Sequence, residues 1–483
     1  MIAMMVFLCA AVAIALPAQT FTTVAGFDGT NGYFPIGALI QATDGSLYGT
    51  TNGGGATGYG TIFAISANDP SYLSTVYTFC PVRVYGMCPD GESPGGGLVQ
   101  GADSYLYGTA LYGGAERCED GCGTMYRISQ GGALDTVRRF CAGTECPVGQ
   151  TPTILLQAAD GDFYGTTALY GSGGFGALFK ITPTGSLTVI YNFCSVAGCP
   201  AGAASLSALL QAPSGDLYGV TYMGGAYASG AIVKIGSSGT PIVLYSFCAQ
   251  TGCPDGAGPN SLILASDGNF YGTTNAGGSG AGGTIFMVTS AGKLTTLYNF
   301  TCPTPDCTDV YQPIGLIEGS DGNFYGITAG GVVGTGMIFK MTPNGELTRL
   351  YNFCSQGCTD GSTPYAPLVQ ATNGFFYGTT SAGGPGCFLT PAGCGTIFSL
   401  SVGLAPFVKA QPAYGQVGAA VQILGSFTTR VLRVTFNGTP ATFRVASGTV
   451  LGTTVPAGAT TGPIEVVTAD GTFLSNVPFR VAP

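Results

Sequence analysis

Apolar residues in this chain fall in short runs cut off by Gly, Asp, Asn or Pro. Between Ser261 and Phe300 the runs are Ser261–Ala265, Phe270–Thr274, Thr284–Thr289 and Leu294–Phe300. Each is rich in Ile, Leu, Val, Phe, Tyr or Thr. Runs of this length between turn formers predict strands, because a helix needs a longer periodic stretch. Asp267-Gly268, between the first two runs, predicts a tight hairpin, since Gly accepts the positive φ such a turn requires.

The unit recurs. A Tyr-Gly pair marks its second strand at Tyr48, Tyr107, Tyr164, Tyr218, Tyr271, Tyr325 and Tyr377, at spacings of 59, 57, 54, 53, 54 and 52 residues. Four strands per unit and a period of about 50 residues predict propeller blades. The third strand appears seven times, from Thr61–Phe63 to Thr396–Phe398, but the fourth follows only the first six, from Leu73–Phe79 to Leu347–Phe353. The missing copy stands at the other end, where Phe21–Phe27 (FTTVAGF) parallels Leu294–Phe300 (LTTLYNF). The N-terminal strand is therefore expected to complete the last blade and remove an open sheet edge. The expected fold is all-β, with a seven-bladed β-propeller over residues 19–402.

The motifs DGNFYGTT (Asp267–Thr274), GGTIF (Gly282–Phe286) and LTTLYNF, with their counterparts in the other units, make this region similar to the exported tandem repeat family called GloVer. The resemblance covers about residues 21–401 and implies a propeller and export. It implies no particular activity.

The pattern changes after Gly403–Pro406. Residues 407–483 lack Cys and the Tyr-Gly mark, and alternating runs predict strands at Ala420–Leu424, Val431–Phe436, Thr442–Val445, Gly448–Val455, Gly462–Thr468 and Val477–Val481. Asn437-Gly438 and Asp470-Gly471 are hairpin signals between them. Many short strands in so small a segment predict an immunoglobulin-like sandwich over residues 403–483. The segments Pro412–Phe427, Val434–Phe443 and Val455–Val466 resemble the IPT/TIG domain, which implies a spacer or adhesive module. The scattered Arg430, Arg433, Arg444 and Arg480 do not form the basic loop of DNA-binding relatives.

Composition narrows the chemistry. The chain has 483 residues, 81 Gly, 17 Cys, no His and a net charge of −9. No basic cluster is present, which disfavours nucleic acid. The lack of His removes the usual general base and the commonest metal ligand. Residues 1–18 form an apolar run ending in Leu16-Pro17-Ala18, expected to be a signal peptide cleaved after Ala18, with no transmembrane segment after cleavage.

Apart from Cys9, the cysteines fall into close pairs: Cys80/Cys88, Cys118/Cys122, Cys141/Cys146, Cys194/Cys199, Cys248/Cys253, Cys302/Cys307, Cys354/Cys358 and Cys387/Cys394. Local disulfides in an oxidising compartment are expected. Pairing of Cys118 or Cys122 with a neighbouring loop is the alternative connectivity. Zinc is the rival reading, and it requires two such pairs to meet in space.

Strands in a blade alternate in direction. The loops after the second and fourth strands therefore share one face, and the short Asp-Gly turns share the other. The first face carries all the cysteine pairs in long, variable loops, where binding on a rigid scaffold usually lives. Its candidates are Glu116, Glu119 and Asp120, with Tyr112, Tyr170 and Tyr222 as aromatic contacts. Asp28, Asp90, Asp255 and Asp360 recur there, each before Gly, either as turn formers or as an acidic rim for Ca²⁺ or sugar hydroxyls. Gln41, Gln100, Gln157, Gln211 and Gln370 recur on the innermost strand and are expected to bond between blades. Leu264 and Glu318 break that set, and Glu318 is the one carboxylate singled out as a possible acid. The expected function is a secreted or surface binding scaffold for carbohydrate or protein. The alternatives are a polysaccharide hydrolase or lyase using loop carboxylates, and a structural surface component.

Overall fold

The computed structural model describes residues 19–66, 72–114, 118, 121–141, 146–169, 171, 174–195, 198–301, 311–330, 335–354, 357–385, 393–427 and 430–482. Among them every regular element is a strand. The signal-peptide reading of residues 1–18 lies outside them.

Each Tyr-Gly strand is second in an antiparallel sheet of four strands, or five in the second unit. The fifth unit, for example, runs Ala257–Leu264, Phe270–Ala276, Ala281–Val288 and Leu294–Thr301 in that order. Its first strand begins earlier than its apolar run, because Pro259 is paired opposite Thr274. Strand Thr20–Gly26 pairs with Thr396–Ser401, Thr20 standing opposite Ser401 and Gly26 opposite Thr396.

The motif residues have separate physical reasons. In the fifth unit's turn, Ala265 N–H donates to Asn269 O at 3.0 Å and Gly268 takes a φ of 85°. Asp267 Oδ1 accepts the Asn269 N–H at 2.9 Å, while Oδ2 accepts the Tyr271 hydroxyl at 2.9 Å. The same Asp–Tyr bond joins Asp44 to Tyr48, Asp103 to Tyr107, Asp160 to Tyr164 and Asp321 to Tyr325. Gly272, next to Tyr271, is fixed by close approach. A Cβ there would stand 2.3 Å from Ser261 O and 2.5 Å from the Phe286 ring.

Aromatic rings join successive sheets. The fourth-strand Phe of one unit packs on the third strand of the next: Phe79 on Tyr126, Phe140 on Phe179, Phe247 on Phe286, Phe300 on Phe339 and Phe353 on Phe398, with centroids 5.1–5.8 Å apart. Phe27, from the N-terminal strand region, makes the same contact with Phe63 of the first unit at 5.1 Å. These rings are fully or almost fully buried, so each junction is a small aromatic core.

Residues beyond 403 form a separate apolar cluster that includes Val408, Ile423, Val434, Phe436, Leu451, Ile464 and Phe479. Two four-stranded sheets surround it, ordered Lys409–Gln411, Ala420–Leu424, Val450–Thr454, Phe443–Val445 and Thr439–Ala441, Val431–Phe436, Ile464–Thr468, Thr472–Leu474. Asn437 and Gly438 both have positive φ, and their hairpin pairs Val431–Phe436 with Thr439–Ala441. Strands Lys409–Gln411 and Thr439–Ala441 were not anticipated from the apolar runs, since each is only three residues long.

This C-terminal module packs on the short-turn face. Phe407 N–H donates to Thr372 O at 2.9 Å, and Gln411 Nε2 and Gln422 Nε2 reach Gln100 O and Ser104 Oγ at 3.4 Å.

Candidate functional site

The recurring Gln residues form latches between sheets. Gln100 Oε1 accepts Thr43 N–H, Gln157 accepts Ala102, Gln211 accepts Ala159 and Gln370 accepts Ser320, at 2.8–3.1 Å. Each donor lies two residues after the Gln position of the preceding unit. Glu318 substitutes within this pattern, taking Ser266 N–H at 2.8 Å and also the Ser266 hydroxyl. Both of its oxygens therefore hold a junction. Where Leu264 interrupts the set, the donor position of the preceding unit is Pro213, which has no N–H to give. That coupled change was readable in the sequence as a proline two residues after Gln211.

The recurring loop aspartates are held in the same way, although Asp90 Oδ1 is buried without a hydrogen-bond partner. Asp255 accepts the Tyr245 hydroxyl at 2.8 Å and the Cys248 N–H at 3.0 Å. Asp90 does the same for Tyr77 and Cys80, and Asp360 for Tyr351 and Cys354. Asp28 closes its own turn through the Thr30 and Asn31 amides. These bonds account for the spacing of Tyr, Cys and Asp in the three loops. They also hold the first Cys of each pair in left-handed backbone: φ is 61° at Cys80, 69° at Cys248 and 63° at Cys354.

Six local disulfides are present: Cys80–Cys88, Cys118–Cys122, Cys141–Cys146, Cys194–Cys199, Cys248–Cys253 and Cys354–Cys358. Cys394 is also disulfide-bonded. The predicted Cys387, Cys302 and Cys307 lie outside the described residues, as do Glu116, Glu119, Asp120 and Tyr170.

Tyr112 ends the second strand of its unit and Tyr222 stands one residue before the end of its own, both on the cysteine-bearing face, 38% and 39% exposed. The Tyr222 hydroxyl accepts Asn275 Nδ2 from the next unit at 3.1 Å. Phe34, Tyr85, Phe175, Tyr227 and Tyr365 are exposed on the same face, Tyr85 at 89%. Sequence inspection did not single out Phe34, Tyr85 or Tyr365.

The opposite face holds a cavity of about 1220 Å³ between the short turns of the third and fourth units and the C-terminal module. Asp160, Lys180, Asp216 and Tyr414 contribute to its lining. Lys180 Nζ lies 2.9 Å from both Asp160 and Asp162, and Lys234 lies 2.8 Å from Asp216. Burial alone would raise the Asp160 carboxyl, but Lys180, Tyr164 and the Asp162 amide together hold it below its ordinary value. Lys180, Asp160 and Tyr164 have counterparts in Lys340, Asp321 and Tyr325, so these charges belong to the repeat rather than to the cavity.

Among the described residues no helix is long and apolar enough to cross a membrane. No curated protein matches the chain. Among solved structures it is similar to a fungal alcohol oxidase of the AA5 family in complex with copper, with a TM-score of 0.52, 11% identity, and coverage of 96% of this chain and 99% of that one. It is also similar to the extracellular domain of a protein described as a hybrid two component system from B. thetaiotaomicron, with a TM-score of 0.51, 10% identity, and coverage of 95% and 58%. Such identities speak for the fold alone, an all-β, propeller-like arrangement. A family profile described as the Gloeobacter/Verrucomicrobia repeat matches residues 10–206, 152–398 and 205–463. Matched over most of its length, the chain belongs to the Gloeobacter/Verrucomicrobia repeat family.

Proposed function

We propose that the chain is an exported binding scaffold: a seven-bladed ring closed by its N-terminal strand, carrying an immunoglobulin-like module of IPT/TIG type. Its recognition surface is the cysteine-bearing face, and its ligand is an extracellular carbohydrate or protein. The observation that carries this reading is the distribution of exposed aromatics. Phe34, Tyr85, Tyr112, Phe175, Tyr222, Tyr227 and Tyr365 emerge on that face, against Tyr72 and Phe375 on the other, which the C-terminal module occupies. Aromatic rings offer flat apolar area at low entropic cost and suit sugar rings or protein side chains. Local disulfides fix the loops that present them, which reduces the ordering cost of binding. The disulfides also suit an oxidising, extracellular compartment.

Where a carboxylate shift is resolved, at Asp28, Asp160, Asp216, Asp267 and Asp321, it is downward. A general acid for glycoside cleavage needs the opposite direction. None of these five is placed as such an acid, and the loop carboxylates Glu116, Glu119 and Asp120 lie outside the described residues.

The test is a glycan and extracellular-protein array probed with the mature protein, each captured polysaccharide then being checked for breakdown. The expected result is binding that Tyr112→Ala and Tyr222→Ala weaken without changing the melting temperature. Cleavage of the captured polysaccharide would reject the scaffold reading in favour of a hydrolase. Binding untouched by the tyrosine changes would move the site off this face.

A further inference from the structure

Two disulfides meet at one place. The Sγ atoms of Cys118, Cys122 and Cys141 all lie within 4.8 Å of one another, and Cys146 is bonded to Cys141. Two loops thus bring three sulfurs together, with Cys146 carried beside them by its bridge to Cys141: the loop between strands Leu106–Tyr112 and Thr124–Ile128, and the loop after Leu134–Arg139. Among the described residues this is the one gathering of three or more metal-ligating side chains. We propose that these cysteines form a single four-sulfur centre that, when a dithiol reduces both bridges, binds one soft divalent cation of the Zn²⁺ class.

The backbone holds the four positions independently of the bridges. Phe140 N–H, one residue before Cys141, donates to Gly123 O, one residue after Cys122, at 3.0 Å. Thr151 N–H donates to Cys122 O at 3.2 Å. Gly121 N–H closes a turn on Cys118 O at 2.9 Å, and Gly149 N–H closes one on Cys146 O at 3.2 Å. Cys122 is fully buried and Cys141 is 5% exposed, so breaking the S–S bonds leaves these sulfurs close together in a dry setting. Zn–S bonds of about 2.3 Å in a tetrahedron place the sulfurs roughly 3.8 Å apart. Reduction lets each bridged pair part from bonding distance to that spacing, while Cys118, Cys122 and Cys141 start within 4.8 Å of one another.

Four thiolates around a divalent ion leave a net charge of −2 at the centre. The bookkeeping is closed: each bridge takes two electrons and two protons from a dithiol, yielding two thiols and the dithiol's own disulfide. Metal binding then releases four protons, with no change in the metal's oxidation state. In the oxidised protein the sulfurs carry no thiolate, so oxidation expels the ion and the centre couples metal occupancy to redox state.

The experiment titrates Co²⁺ into the full chain before and after reduction by a dithiol that is removed anaerobically, with circular dichroism confirming that the reduced protein is folded. One Co²⁺ per reduced chain is expected, with sulfur-to-metal charge transfer in the near ultraviolet and the intense visible bands of a tetrahedral site. Zn²⁺ should displace it, and the oxidised protein should bind none. The paired change Cys118→Ser with Cys122→Ser should abolish these bands, while Cys248→Ser with Cys253→Ser should leave them intact. X-ray absorption on the Zn²⁺-loaded reduced wild type should count four sulfur neighbours, a readout that does not depend on either variant folding. The proposal is overturned if the reduced, folded protein takes up no Co²⁺, if the bands survive loss of Cys118 and Cys122, or if the Zn²⁺ shell holds two sulfurs.

Discussion

Gln41 and Thr372 are 331 residues apart in the chain, and Gln41 Oε1 accepts the Thr372 N–H at 3.0 Å. The bond joins the first unit to the last, and it repeats the contact made between neighbouring units elsewhere. Both groups are buried, so losing one partner leaves the other unsatisfied. Gln41→Leu should cost about 1–3 kcal/mol, read as a lower denaturant midpoint. Leu264→Gln should bring no matching gain, because Pro213 cannot donate. A stabilised Leu264→Gln variant would sink this account of the latches.

The N-terminal strand should carry a large share of stability. Phe27 is fully buried against Phe63, and Phe21 stacks on Tyr351. Phe27→Ala should cost about 3–5 kcal/mol. Deleting residues 19–27 should lower the melting temperature further and promote association through the bared Thr396–Ser401 edge, visible by light scattering. Unchanged melting after the deletion would show that the pairing contributes nothing to stability.

Gly272 tests the close approach behind the Tyr-Gly motif. Gly272→Ala meets Ser261 O and the Phe286 ring at under 3 Å. Overpacking of this kind costs about 1–3 kcal/mol. Pairing it with Phe286→Leu should recover part of the loss in thermal denaturation. Gly161→Ala, where an added Cβ meets nothing within 4 Å, suffers from its positive φ alone and should show no such rescue.

Asp255 separates a structural carboxylate from a calcium ligand. Its oxygens serve Tyr245 and Cys248. Asp255→Ala should destabilise by about 2–3 kcal/mol, as expected for a charged acceptor with two partners. Melting temperature should be the same with Ca²⁺ or with a chelator. A chelator-induced fall that Asp255→Ala removes would restore the acidic-rim reading.

Stability should fall at both ends of the pH scale. Asp160 and Asp321 have folded-state pKa values below their ordinary ones, since Lys180 and Lys340 with neighbouring donors outweigh burial. Their contribution is present above the unfolded carboxylate value of about 3.9 and is lost as pH drops through the folded value. Tyr107 and Tyr271 are pushed up to about 12, by burial first and then by Asp103 and Asp267. Their contribution is complete below about pH 10 and disappears as pH rises through the folded value. Urea midpoints should be flat from roughly pH 5 to 9 and decline on either side. Ultraviolet titration that ionises these tyrosines near pH 10 in the folded protein would contradict this.

Much of the fold was legible because the repeat is local. Asp267, Gly268, Tyr271 and Gly272 act within six residues of each other, and each does one identifiable job in a turn or a close crossing. The local Cys pairs were legible for the same reason: short loops leave few alternative partners. The missing fourth strand could be inferred from its twin at Phe21–Phe27, since a sheet edge needs a partner of matching pattern. The exposed rim was only half visible. Tyr112 and Tyr222 could be placed by topology, whereas Tyr85 is exposed because of how the Cys80–Cys88 loop turns.

By itself the sequence determined the strand units, their order, the turn chemistry and the local disulfides, because those follow from periodicity and from contacts between residues close along the chain. Only the tertiary structure decided which face the C-terminal module covers, that Gln41 reaches Thr372, and that the sulfurs of Cys118, Cys122 and Cys141 converge. Those relationships depend on where distant segments come to lie, and no local propensity encodes that placement.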